Sequence, residues 1–511
     1  MPGPDTGRGS SVIDVNGQFG TRLNPEPDAP LADLVAQATR HGIRTTLAHH
    51  LNAVHLDPVS GNDLAFEGAA TTNGAVLPIA VVAPIRTDLL SVDLDALLRR
   101  GAVGFRLGLE SREWHHDGLA AAYRTSAMRT LLAAVARAGR PLIVPIAGWG
   151  QSTAAGEATA GLGIPVILVG SHYAYHVDDL EALRRFPHLH LDTSRLAQLL
   201  ALETAVREVG AERLLFGSDS PTRSIASPLN AIATAEISDD DKRAILAGNA
   251  ARLFGLPVPA FDLPRSVLPA DAVDVHTHYG PLPWSVPQLG DRDLAPTLRR
   301  LGTTANVASP TRAIVADLET GNQQGADGAD RAAGQLTYLA ADPWDLDFTR
   351  AQIQRHGGTD GVVGVKVHAL LFKMSTSDHR MADLFDVLAD FGRPVKIHNE
   401  GADWADALLA IARSHPKLAI IVAHSGLGFP SLDAARIAAA APNIYLELAS
   451  SFAFRPWIRE MVRITPREQL LYGTDAPLLN PAYIIGTYVD GGVAIDDAAV
   501  FRDNARRIFD L

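Results

Sequence analysis

Cysteine is absent from the 511 residues. Its absence excludes disulfides, thiolate zinc sites, iron–sulfur clusters and a cysteine nucleophile. Lysine is scarce, five residues against 40 arginines, so the position of each lysine is informative. No basic run occurs and the formal net charge is −12, which leaves no electrostatic footprint for nucleic acid or an anionic membrane. No apolar stretch approaches the ~18 residues of a membrane helix. The first ten residues, MPGPDTGRGS, lack the charged start and apolar run of a signal peptide. A cytoplasmic chain with no membrane and no nucleic-acid partner is the expectation. No P-loop is found, and no G-x-G-x-x-G follows a strand pattern, so nucleotide binding has no support.

What is present is a long internal repeat. Residues 12–20 read VIDVNGQFG and residues 272–280 read AVDVHTHYG. GRPLIVPI at 139–146 faces GRPVKIHN at 392–399, LLFGSDSP at 214–221 faces LLYGTDAP at 470–477, and NAARLFGL at 249–256 faces NARRIFDL at 504–511. The order is the same throughout and the offset stays near the length of a whole domain, which means duplication rather than a solenoid. Each half carries eight apolar, β-rich runs separated by Ala/Leu/Arg segments with helical spacing. Near-continuous apolar strands alternating with helices imply parallel strands covered on both faces. Eight such units in about 250 residues fit a (β/α)8 barrel. The expected architecture is therefore α/β, two tandem TIM-type barrels at 1–256 and 272–511, joined by a Pro-rich linker at 257–271.

In such a barrel the chemistry sits where the strands end. In the second half these ends are rich in polar side chains. Strand 1 ends in His276-Thr277-His278, and residues two apart on a strand point the same way. Strand 4 carries Lys366 and His368, strand 5 ends in His398, strand 6 in His424 and strand 8 in Asp475. Imidazole and carboxylate suit Zn²⁺, Mn²⁺ or Fe²⁺. A single histidine at a strand end reads as a structural hydrogen bond. A pair joined by two more histidines and an aspartate at one end of successive strands reads as a metal site. Glu447, on strand 7, either points inward or pairs with an arginine.

The segments DVHTHYG, PVKIHNEG, IIVAHSG and YGTDAP, in this order, resemble the amidohydrolase superfamily. The likeness is to the branch that includes aminocarboxymuconate semialdehyde decarboxylase and the resorcylate decarboxylases, and it covers nearly all of 272–511. It implies one divalent metal, with Zn²⁺ expected and Mn²⁺ or Fe²⁺ as alternatives, on His276, His278, His398 and Asp475. It also implies that His424 is an acid/base or substrate-polarising group. Lys366 is expected near the metal as an ion-pair or substrate contact, since a buried lysine is costly unless paired or functional. Asp475, His424 and Lys366 are thus the catalytic candidates. The expected activity is metal-dependent hydrolysis of an amide, lactone or ester of a small molecule. Non-oxidative decarboxylation or hydration of a small unsaturated or aromatic acid is the alternative.

The first half lacks this set. His276 and His278 face Asn16 and Gln18, Lys366 faces Arg106, His368 faces Gly108, His398 faces Pro145 and His424 faces Ser171, while only Asp475 keeps its counterpart, Asp219. Amides and a proline cannot replace three imidazoles around a transition metal. A metal-free first barrel is expected, forming an internal pseudo-dimer with the second; a further homo-oligomer is open.

Overall fold

The computed structural model describes residues 12–21, 28–108, 119–258, 261–425, 432–451 and 453–511. The opening ten residues and two positions of the Pro-rich segment lie outside these. The chain forms two compact units, Met1–Ser266 and Val267–Leu511, which divide inside that segment. Phe261 and Leu263 pack on the core of the first unit, so this stretch of the segment is held to a barrel by its apolar side chains. Among the described residues, no helix is long and apolar enough to cross a membrane.

The first unit contains β1 (Val12–Phe19), β2 (Ile43–His50), β3 (Val76–Val82), β4 (Gly104–Leu107), β5 (Leu142–Pro145), β6 (Val166–Val169), β7 (Leu189–Asp192) and β8 (Leu214–Leu215). The second contains β9 (Ala272–Tyr279), β10 (Thr303–Pro310), β11 (Gln335–Ala340), β12 (Val362–His368), β13 (Val395–His398), β14 (Ile420–Val422), β15 (Ile444–Glu447) and β16 (Leu470–Leu471). In each unit every strand pairs in parallel with its neighbours in chain order, with helices in between. The two units are tandem TIM-type barrels, as the eight apolar runs per half imply.

Period-two alternation builds two cores per barrel. In the first unit, Ile143 and Ile167 point into the barrel beside Ile13, Val15, Leu47 and Leu215. Their neighbours Leu142, Val144, Val166 and Leu168 face outward, where helix residues such as Leu131, Val135 and Leu183 cover them. The second barrel's interior holds Val273, Val275, Val307, Tyr338, Val363 and Ile421.

The last strand meets the first through a short seam. In the second unit Val275 N–H donates to Tyr472 O at 2.9 Å, Asp475 N–H to His276 O at 2.7 Å and His278 N–H to Ala476 O at 2.7 Å. The first unit repeats it, with Asp219 N–H donating to Asn16 O at 2.8 Å and Gln18 N–H to Ser220 O at 2.9 Å. A fully buried carboxylate braces each seam. Asp274 accepts from His276 N–H at 2.9 Å, from Thr474 N–H at 3.0 Å and from the Thr474 hydroxyl. Asp14 accepts from Asn16 N–H at 3.0 Å, from Ser218 N–H at 3.1 Å and from the Ser218 hydroxyl.

Burial pushes the Asp14 carboxyl up to about 7, against the lowering effect of its hydrogen bonds. A carboxyl whose folded pKa is raised gives stability that is present below its unfolded pKa and is lost as pH rises through the folded value. The first unit should therefore lose stability as pH climbs from about 4 to about 7. Asp14→Asn keeps the shape and should flatten that part of the profile. Melting temperatures measured across this pH range on the variant and the parent chain check it.

Candidate metal centre

A bulge sets the direction of the first two histidines. From Asp274 to Thr277 β9 advances three residues while its partner β10 advances two, from Asn306 to Ala308. The extra residue turns His276 and His278 to the barrel axis above the apolar layer that Val273 and Val275 help to build. The seam bonds then place Asp475 beside them: its Oδ1 lies 3.4 Å from His276 Nε2 and 3.1 Å from His278 Nε2. Asp475 sits in left-handed backbone at φ +64°.

β14 ends at Val422 because His424 and Ser425 take left-handed backbone, at φ +57° and +51°. Glu447 stabilises that turn. One of its oxygens, Oε1, accepts the His424 N–H at 2.6 Å and the His276 Nδ1–H at 2.7 Å. Its other oxygen accepts the Ala449 N–H at 2.8 Å. Glu447 thus points inward to histidine rather than to an arginine. Gly473 makes room for it, since a Cβ there would stand 3.1 Å from both Glu447 Cγ and His276 Cβ.

Hydrogen bonds fix where three ring protons sit. His276 Nδ1 faces Glu447, His278 Nδ1 faces the Ser309 carbonyl at 3.0 Å and His424 Nδ1 faces the Ala449 carbonyl at 2.8 Å. All three partners are pure acceptors, so each Nδ1 carries the proton and each neutral ring offers an Nε2 lone pair. Burial, and then the nearby charge of Lys396, pulls His276 well below its ordinary pKa; burial also lowers His424. Lone pairs then face a carboxylate across the centre with no proton between them. One ligand atom each from His276, His424 and Asp475 lies within 4.8 Å of the other two. His398 Nε2 is buried and has no hydrogen-bond partner. Its ring lies 5.1 Å from that of His424 and stacks on His368 at 4.1 Å, centroid to centroid. A tetrahedral zinc site with ligands about 2.0–2.1 Å from the ion needs ligand atoms roughly 3.3 Å apart, which the Asp475 contacts satisfy. The residues fit a divalent cation.

The structure therefore brings His276, His278, His398, His424 and Asp475 together. His424, expected as an acid/base or polarising group, lies in a three-group cluster with His276 and Asp475. Lys366 is buried in the same wall, on β12. Burial lowers it to about 8, while Asp475 and Glu447 pull the other way. His368 caps the short helix Ala369–Phe372, its Nδ1 accepting the Leu371 N–H at 3.3 Å. Two supporting residues escaped the sequence reading. Asp274 precedes the H-x-H pair by two residues, a signal that was available. Lys396, one of the few lysines, is fully buried and donates to Val275 O at 2.9 Å.

In the first barrel, amide donors occupy the corresponding places. Asn16 Nδ2 donates to Asp192 at 3.0 Å, and Gln18 Nε2 to Asp219 at 2.5 Å and to Thr222 Oγ1 at 3.1 Å. Arg223 also pairs with Asp219, at 3.2 Å. Strand register aligns His424 with Gly170 rather than with Ser171, since Ile420 and Val166 hold equivalent places against β15 and β7. Among the described residues of this unit, no group of histidines and carboxylates gathers as it does in the second.

Comparison with known proteins agrees with the duplication. The family profile described as Amidohydrolase matches residues 18–256 and again 273–511. No curated protein matches. Among solved structures, 2,6-dihydroxybenzoate decarboxylase from Rhizobium is 18% identical, covering 48% of this chain and 99% of its own, with a TM-score of 0.37. A dihydroxybenzoic acid decarboxylase from Polaromonas sp. JS666, with bound manganese and 2-nitroresorcinol, is 17% identical over 48% of this chain and 97% of its own, at 0.37. A putative 2-pyrone-4,6-dicarboxylic acid hydrolase from Pseudomonas putida is 18% identical over 49% of this chain and 99% of its own, at 0.39.

Glu447→Gln weakens the acceptor shared by His276 and His424 and puts an N–H donor against Ala449 N–H. The variant should bind metal about 10- to 100-fold more weakly, as measured by competition with a chromogenic chelator. The parent chain should carry on the order of one ion, not two, by elemental analysis.

Proposed function

The chain belongs to the amidohydrolase family, and from that premise we propose that its second barrel is a metal-dependent hydrolase of a small molecule, acting on an amide, lactone or ester. The observation that carries this reading is the convergence of imidazole lone pairs, each with its proton held on the far nitrogen, upon the Asp475 carboxylate. His276, His278, His398 and Asp475 would hold the ion. Zn²⁺ suits this nitrogen-rich set, with Mn²⁺ and Fe²⁺ as alternatives. When bound, such an ion supplies Lewis acidity and lowers the pKa of water towards about 7.

The chain's own groups then move the proton. Asp475, held by the seam at its backbone N–H, is the acceptor for a water proton. His424 presents an Nε2 lone pair, because its Nδ1–H is committed to Ala449 O. It therefore takes up a proton before it can pass one to the leaving nitrogen or oxygen. The apolar layer below keeps the pocket floor dry and strengthens these charge effects.

A second reading, non-oxidative decarboxylation or hydration, draws on Lys366. Its buried ammonium could hold the carboxylate of an unsaturated or aromatic acid at the same site.

The test is an assay of the metal-loaded chain on a panel of small amides, lactones, esters and unsaturated acids. Hydrolysis should be lost on chelation and regained on adding Zn²⁺. The double variant His276→Ala/His278→Ala should lose the metal and lower kcat/KM by about 1,000-fold or more. Release of CO₂ in place of hydrolysis would decide for the second reading, and metal-independent turnover would overturn both.

A further inference from the structure

The ring protons around the second barrel's site do not all point the same way. His276, His278 and His424 direct theirs outward, to Glu447, Ser309 O and Ala449 O. His368 is reversed. Its Nδ1 accepts the Leu371 N–H, so the neutral ring carries its proton on Nε2 and offers a donor where a metal ligand needs a lone pair. Its ring lies against that of His398, tilted by only 24°. Lys366 precedes it by two residues on β12 and so shares its face. Among the described residues, Lys366 makes no hydrogen bond and no ion pair, although only 2% of it is exposed. Burial disfavours this ammonium, Asp475 and Glu447 offset that only in part, and a ligand anion relieves the remainder.

We infer that Lys366 and His368 form a two-donor seat for a carboxylate that takes no part in bond cleavage, so that the substrate carries this group besides the amide, lactone or ester that reacts. The inference rests on the hydrolase reading of the same site and narrows its substrate class. Charge arithmetic favours a monoanion. A divalent ion, Lys366 and Lys396 give four positive charges, while Asp475, Glu447 and Asp274 give three negative ones, leaving a single positive charge to match. A phosphate dianion would overshoot it. The two donors differ in kind: an ammonium that bonds in several directions and a planar ring N–H with one. Such a pair suits the two oxygens of one carboxylate.

Benzoate, with benzamide as its neutral counterpart, tests the seat by calorimetric titration of the full chain, metal-loaded and metal-free. Benzoate should bind and benzamide should bind far more weakly in both forms. Lys366→Met should weaken benzoate by roughly tenfold or more, while Lys366→Arg retains most of the affinity. His368→Asn keeps a good helix cap and should weaken benzoate several-fold with the circular dichroism spectrum unchanged. Benzoate bound equally well by the parent and by His368→Asn, or by a folded Lys366→Met, would overturn the seat, as would no binding at all. These outcomes leave the hydrolase reading standing. That reading fails separately, if the chain binds benzoate through Lys366 yet shows no metal-dependent hydrolysis.

Discussion

The seam that closes the second barrel is the constraint on which its site depends. β16 is only two residues long, so the last strand contributes little ladder of its own. Closure passes instead to the residues beyond it, through Asp475 N–H to His276 O and His278 N–H to Ala476 O. The bonds that shut the barrel are thus made by the backbone of the residues whose side chains would hold a metal. Asp274 reinforces the arrangement by accepting from the backbone on both sides, at His276 and at Thr474. A change that loosens the seam would separate Asp475 from the H-x-H pair. Stability and site geometry are therefore coupled here, and a folding defect and a binding defect should be hard to separate at Asp274 or Thr474.

The first barrel shows which part of that arrangement is structural. It keeps Asp14, Ser218 and the seam bonds, and it keeps carboxylates at Asp192 and Asp219 where the second barrel has Glu447 and Asp475. What it lacks are the acceptors. Asn16 and Gln18 bring N–H groups to carboxylates that would otherwise need a cation, and Arg223 adds a fixed positive charge. Without these donors the buried Asp192 carboxylate would lose a partner and the part-exposed Asp219 another, and the first loss is the costlier. Amide donors at the same positions remove that cost without an ion. Among the described residues of the first barrel, a hydrogen-bonded network of Asn16, Gln18, Asp192, Asp219 and Arg223 occupies the places that the histidine cluster takes in the second.

Much of this was legible in the chain itself. Strand positions followed from apolar runs because strands covered on both faces need apolar side chains on both. The ligand candidates followed because several histidines and an aspartate fall at the same end of successive runs, although each alone reads as a structural hydrogen bond, and the duplicated half supplied a reference in which most of them are missing. The alignment failed by one residue at strand 6. There the left-handed turn at His424 depends on a carboxylate from β15, and no local pattern announces a turn held from elsewhere in the fold. The inward position of Glu447 stayed open for the same reason, since strand alternation is uncertain in a run of four residues. Lys396 was passed over because it lies inside the strand-5 run, away from the strand end where functional residues are sought. Its burial shows only once Val275 O is seen to accept from it.

Ring tautomers separate residues of the same type into different roles. Five histidines crowd one cleft, and composition cannot tell apart the four whose outer partners are seen. Their outer partners can. An acceptor behind Nδ1 makes His276, His278 and His424 lone-pair donors to whatever sits at the centre, whereas the helix N–H behind Nδ1 of His368 makes that ring a proton donor. The cleft is thereby polarised, with a side that attracts a cation and a side, completed by Lys366, that attracts an anion. On the reading proposed above, a substrate spanning it would present a carbonyl to one side and negative charge to the other. That polarity comes from the hydrogen bonds behind the rings: three go to backbone groups of β10, the turn after β15 and the cap after β12, and the fourth to the Glu447 carboxylate.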